Sequence, residues 1–182
     1  MIKTISINNI LKAENIKSTF ARYDLLVIYL SIDRYLNGDE SFDLYRKLQL
    51  ARLARQLLPL SRQIKSEFIK SNLDEGIYNL KQYYEIYKNN ATLNLRRATE
   101  KQSVSKHNFP IQLSKDFKLI NGSHRLGSAI YCKEDNINSD IGENSLPRNY
   151  GFYAKWMLKY FSKEELVMFD KIKNKIIKER NV

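Results

Sequence analysis

The apolar residues of this chain change their spacing twice, and that limits the available folds more than any other feature. At the start, Ile2, Ile5, Ile7 and Ile10 alternate loosely with polar residues, which favours a short strand over residues 2–10. From Ser18 the spacing turns helical. Tyr23, Leu26, Val27 and Leu30 share one face, and Asn37-Gly38 supplies a stop. A second helix is expected from near Ser41, where Asp39, Glu40 and Asp43 suit a helix start. Leu44, Leu48 and Ala51 form its inner stripe and Pro59 its end or kink. Helices over residues 61–73 and 77–88 follow, then a polar, basic connector over 89–108. After Pro110 the strand-like period returns in two short runs, 110–114 and 117–120, joined at Lys115-Asp116, which suggests a hairpin or adjacent strands. A short helix through Leu126, Ala129 and Ile130 comes next, and a mostly loop segment with a short strand over 137–141. The chain closes with helices over 150–161 and 162–177, and Ser162-Lys-Glu-Glu165 has the capping-box pattern. The expected fold is therefore α+β. A small β-containing core is split across both ends of a single domain, residues 1–182, with a helical insertion over 18–108. Core strands and a turn occupy 109–141, and C-terminal helices 150–180.

Composition narrows the function. With 43% hydrophobic and 28% charged residues the chain can bury a core, which argues against wholesale disorder. The formal net charge of +11 favours an anionic partner, but the basic residues are not gathered into one arm. The densest stretch, Lys171, Lys173, Lys175, Lys178 and Arg180, reads as the solvated side of the last helix. The single cysteine, Cys132, excludes an internal disulfide framework and a cysteine-rich zinc site. No apolar run approaches the roughly 18 residues of a membrane span, and residues 1–12 lack the pattern of a secretory leader. The expectation is a cytoplasmic protein with no membrane partner.

The residues that carry chemistry are Asn121-Gly122-Ser123-His124-Arg125, where a strand runs into a helix. Gly122 lets the backbone approach a ligand closely. The helix start beyond it offers N–H groups and a positive partial charge to an anion. Ser123 adds a hydroxyl, His124 a ring N–H or an acid–base group, and Arg125 a planar fork for phosphate. The five residues describe a phosphate cradle. The plain alternative is a turn with a capping histidine and a surface arginine.

The run Leu119-Ile-Asn-Gly-Ser-His-Arg-Leu-Gly-Ser-Ala129, preceded by Pro110-Ile-Gln-Leu-Ser114, resembles the hallmark of the ParB/sulfiredoxin-like superfamily. There an apolar strand enters a Gly-x-His-Arg turn and then an alanine-containing helix. The first strand resembles the opening of those domains, and the match covers about a third of the chain. Stretches similar to Arg22-Tyr-Asp24 and Tyr150-Gly151 recur in ParB-like proteins of unassigned role that carry comparable helical decoration. The resemblance implies that Asn121, Gly122, Ser123, His124 and Arg125 contact the phosphates of a nucleoside di- or triphosphate, ATP or ADP first, with Mg²⁺. Sulfiredoxin chemistry does not carry over, because Ser123 stands where that family has its catalytic cysteine and Cys132 lies about two helical turns further on. ParB partition is not favoured either: no helix-turn-helix signature stands out in the 57 residues after Arg125. The resemblance to ParB-like small-molecule kinases implies phosphoryl transfer to a small hydroxyl metabolite, or nucleotide hydrolysis. It makes Glu14 and His124 the catalytic candidates. The alternatives are a DNA-binding ParB-like protein or nuclease, and a non-catalytic nucleotide-sensing module.

The remaining candidates have plainer readings. Arg22 and Asp24, two residues apart on one helix, point to different faces and are not expected to pair. Arg52 with Arg55, or Arg96 with Arg97, can close over an anion or simply keep the surface soluble. Tyr83, Tyr84 and Tyr87 read as packing residues. His107 and His124 lack zinc-like spacing, so no metal ligand set is expected from side chains.

Overall fold

The computed structural model describes residues 2–18, 22–54, 61–96, 110–144 and 158–182, with backbone alone at 54, 64 and 89–96. Strand β1 spans Ile2–Ser6 and helix α1 Ile7–Ala13. The first strand thus ends four residues earlier than its alternation suggests. Ile7, Ile10 and Leu11 also recur at helical spacing, and all three are fully buried. Burial of that stripe decides the conformation.

Helix α2, Tyr23–Leu36, ends at Asn37 and at Gly38 with φ +89°, as the Asn-Gly pair implies. Its expected apolar face is present but is only part of the story. Every residue from Leu25 to Ile32 is buried, so the helix runs through the core instead of lying on it. It packs against α3 (Asp43–Ala54), α4 (Arg62–Arg96), α5 (Ser123–Tyr131) and α6 (Lys163–Arg180). In α3, Leu44, Leu48 and Ala51 turn inward as expected. The two helices anticipated over 61–73 and 77–88 are one helix of 35 residues, and residues 89–96 of the anticipated connector continue it. Leu73, Leu80, Tyr84 and Tyr87 are among its buried residues, so two of the three clustered tyrosines do pack.

Strands β2 (Ile111–Leu113) and β3 (Leu119–Asn121) form the expected antiparallel hairpin, with an irregularity at Gln112/Leu113. Strand β4, Asn136–Ile141, runs parallel to β2 and antiparallel to β1, pairing Ile2 with Asp140 through to Ser6 with Asn136. The result is a mixed four-stranded sheet in the order β1-β4-β2-β3. Its inward residues Ile111, Leu113, Leu119 and Ile137 join the same apolar core as α2 and α5. The chain is mixed α+β, and its sheet is assembled from both sides of the long helical segment.

Near the end, Leu158–Tyr160 forms a single 3-10 turn and Phe161 is a buried bend; residues 150–157 of the helix expected over 150–161 lie outside the described residues. Helix α6 begins with the full capping box: Glu165 N–H donates to Ser162 Oγ at 3.2 Å, and Ser162 N–H to Glu165 Oε2 at 2.8 Å. Its basic face is less solvated than its spacing implies. Lys173 is buried and reaches Asp170 at 2.8 Å, and Arg180 donates to the carbonyl of Glu134 at 2.9 Å. Long basic stems can cover apolar surface while their heads find acceptors. Among the described residues, no helix is long and apolar enough to cross a membrane.

Candidate functional site

The turn that opens α5 sits at the end of β3, and α5 itself packs against α2 and α4. Gly122 adopts φ +107° and ψ 28°, a left-handed conformation that L side chains rarely take. A Cβ there would also lie 2.6 Å from Ile111 Cγ2 on the neighbouring strand. Both facts make this position specific for glycine. The first helical hydrogen bond runs from Leu126 N–H to the Gly122 carbonyl at 2.9 Å, so Ser123, His124 and Arg125 form the first turn. That is the positive end of the helix dipole.

Each predicted side chain of the turn has a distinct setting. Asn121 is exposed. Ser123 Oγ lies 3.4 Å from Nη2 of Arg52, which α3 brings across from the helical segment. Arg125 donates through Nη1 to the carbonyl of Pro110, and its guanidinium lies 5.7 Å from the centre of the Tyr83 ring. It therefore ties the helix to the entry of β2, and four of its five N–H donors do not point at that carbonyl. His124 turns inward: its Nε2 is 2.5 Å from the Tyr45 hydroxyl, which is also bonded to the side-chain amide of Gln49. Burial, reinforced by the nearby charges of Arg52 and Arg125 and opposed by Asp24, pushes the imidazole down to about 4. At neutral pH this histidine is uncharged.

Glu14 lies at the C-terminal end of α1, not at the turn itself. Its Oε1 accepts from the backbone N–H of Leu119 at 2.5 Å, joining α1 to the first residue of β3, and from Arg22 Nη1 at 3.3 Å. Burial raises its pKa against the lowering effects of Arg22 and the Leu119 N–H. Arg22 and Asp24, expected to face apart, are a bidentate pair: Nε to Oδ1 at 2.9 Å and Nη2 to Oδ2 at 2.6 Å. The expectation fails because Arg22 is not in the helix. It is the residue before it, with φ +42° and ψ +48°, and this left-handed turn folds its guanidinium back over Asp24. Arg52 Nη2 closes on the same Asp24 oxygen, Oδ2, at 3.1 Å. Burial acts against the Asp24 charge, but the two guanidiniums outweigh it and hold the carboxyl below its ordinary range.

A continuous polar chain therefore runs Glu14–Arg22–Asp24–Arg52–Ser123, from the end of α1 to the start of α5. Tyr45 and Gln49 were not among the expected site residues, although their signal is in the sequence. Tyr45, Gln49 and Arg52 follow one another at spacings of four and three, a hydrogen-bonding row beside the apolar stripe of α3. Arg55, Arg97, His107 and Tyr150-Gly151 lie outside the described residues, as does the side chain of Arg96. Among the described residues, no group of three or more His, Cys, Asp or Glu is arranged to hold a metal ion. Comparison of the chain with family models, with curated proteins and with solved structures gives no match in any of the three.

Proposed function

We propose that the protein binds a nucleoside di- or triphosphate, with its phosphates at the start of α5, and promotes transfer of a phosphoryl group to a small hydroxyl compound or to water. The observation that carries this reading is the placement of Arg52. A guanidinium from a distant helix stands beside a serine hydroxyl at a glycine-opened helix N-terminus, the donor set that phosphate requires. It also agrees with the resemblance of the turn to the ParB/sulfiredoxin-like superfamily. Ser123, the first-turn N–H groups, Arg52 and the remaining donors of Arg125 hold the phosphates. Mg²⁺ travels with the phosphates and spreads their charge, a role that needs few protein carboxylates.

Phosphoryl transfer is largely positioning and charge stabilisation, which such a cradle supplies. Of the two residues expected to move a proton, Glu14 has a raised pKa and sits at the head of the strand that leads into the turn. It is the candidate for orienting the acceptor hydroxyl. His124, uncharged at neutral pH, is better suited to donate a hydrogen bond than to carry a proton.

A thermal-shift panel of ATP, ADP, CTP and GTP with Mg²⁺ tests the binding step. A ligand present at a hundred times its Kd stabilises by about 2.7 kcal/mol, a shift the assay resolves. Ser123→Ala and Arg52→Ala should each reduce it. A shift unchanged in both variants places the ligand elsewhere, and salt-sensitive binding of duplex DNA with no nucleotide response replaces the reading by the DNA-binding one. With a phosphoryl acceptor in hand, Glu14→Gln should lower turnover by roughly 10²–10⁴-fold and leave nucleotide affinity almost unchanged.

A further inference from the structure

Tyr45 is fully buried, and its hydroxyl has one proton to give. The hydroxyl faces the side-chain N–H of Gln49 on one side and Nε2 of His124 on the other. Gln49 is the donor in its bond, so the hydroxyl proton goes to Nε2. The imidazole must then accept at Nε2 and carry its own proton at Nδ1. A doubly protonated ring would aim a second N–H at the same oxygen and leave the buried tyrosine proton without an acceptor. The arrangement is built into the helix packing as well. Gly76 of α4 lies where any Cβ would meet the Tyr45 ring, with Cε1 at 2.9 Å and Cζ at 3.0 Å.

We propose that Tyr45 and Gln49 are positioning residues that hold His124 as the Nδ1–H tautomer, so that the imidazole meets the bound phosphate as a fixed hydrogen-bond donor. The ligand in this statement rests on the nucleotide reading above; the tautomer does not. The charged groups around the ring act in the same direction on balance. Arg52 of α3 and Arg125 of α5 disfavour a second proton, Asp24 of α2 favours one, and burial outweighs them all. Burial, opposed by Arg52 and the Gln49 hydrogen bond and aided slightly by Glu75 of α4, pushes the Tyr45 hydroxyl up to about 12, so it remains a proton donor throughout the neutral range. His124 then offers the same N–H to phosphate from pH 6 to pH 8, whereas an exposed histidine would change its charge there.

The test is long-range proton–nitrogen NMR of the ¹⁵N-labelled protein without ligand. The chain has two histidines, and His107→Gln assigns the spectrum. His124 should show a protonated Nδ1 and a bare Nε2, unchanged between pH 8 and about pH 5.5. Tyr45→Phe removes the donor to Nε2 and should convert the ring to a mixture of tautomers. Gln49→Leu should do the same to a smaller degree and serves if the tyrosine variant does not fold. An Nε2–H or doubly protonated ring at pH 7 overturns the proposal, as does an unchanged spectrum in the Tyr45→Phe protein. Titration of ATP with Mg²⁺ separates the two readings. Where wild type binds ATP, Tyr45→Phe should weaken it about tenfold, the worth of one well-placed hydrogen bond. Where wild type shows the Nδ1–H form but binds no nucleotide, the nucleotide reading fails and the tautomer assignment holds.

Discussion

Asp24→Asn probes the polar chain at its centre. The carboxylate accepts three guanidinium N–H groups, two from Arg22 and one from Arg52, as well as the backbone N–H of Leu25, and the three side chains are only 11%, 13% and 21% exposed for Arg22, Asp24 and Arg52. Asparagine keeps the shape but removes the charge, and it turns an NH₂ group toward one of two guanidiniums. Removing one partner of a buried ion pair costs roughly 3–5 kcal/mol. Two features moderate that figure here: the site is not wholly dry, and Glu14 still faces Arg22 at 3.3 Å. The expected loss is about 2–4 kcal/mol, a large share of the roughly 5–15 kcal/mol that holds a typical domain together. Urea unfolding at pH 7 measures it, with an unchanged slope showing that the unfolded state is not what moved. The pH dependence supplies a second check. The Asp24 pKa is lowered on folding, so its contribution is complete above the ordinary value of 3.8 and is lost as pH falls through the folded value. The gap between wild type and variant should therefore stay constant from pH 7 to about 4 and close only below that. A loss under about 1 kcal/mol, or a gap that already shrinks near pH 6, refutes the reasoning.

Glu14 has the opposite sign. Its folded pKa is raised, so its contribution is present below 4.5 and is lost as pH rises through the folded value; relative to Glu14→Gln, wild type should lose melting temperature over that interval and then level off. Gly122→Ala combines left-handed strain with a Cβ against Ile111 and should cost about 2–4 kcal/mol in urea unfolding. Gly76→Ala gains roughly 1 kcal/mol of helix propensity but forces the Tyr45 ring aside, so calorimetry should show a lower Tm and not the usual rise. Ser162→Ala breaks the capping box of α6 and should cost about 1 kcal/mol, visible as a lowered urea midpoint.

The structure bears out sequence readings that depended on near neighbours. The hairpin between β2 and β3, the stop of α2 at Asn37-Gly38, the inner stripe of α3 and the capping box at Ser162 are each set by residues within a few positions of one another. Local readings failed where two local patterns competed. Ile7 and Ile10 fit both a strand and a helix, and burial beside Leu11 settled the matter. The pair Arg22 and Asp24 failed for a related reason: spacing along an ideal helix says nothing about a residue that lies just outside it.

The α+β character of the chain and the turn with Gly122 at its bend were legible in the residue pattern alone, and the row Tyr45–Gln49–Arg52, though present in the spacing, was recognisable only once its partners were seen. Apolar period, glycine's freedom and helical spacing all act over one or two turns of chain. Only the tertiary structure decided which groups meet. It joined Glu14 to Leu119 across 105 positions and Tyr45 to His124 across 79, and it set β1 beside β4. Those partners are chosen by how α1, α3, α5 and the sheet come together in one apolar core. Only in that packed interior does a carboxylate or an imidazole lose water and depend on a single neighbour for its proton.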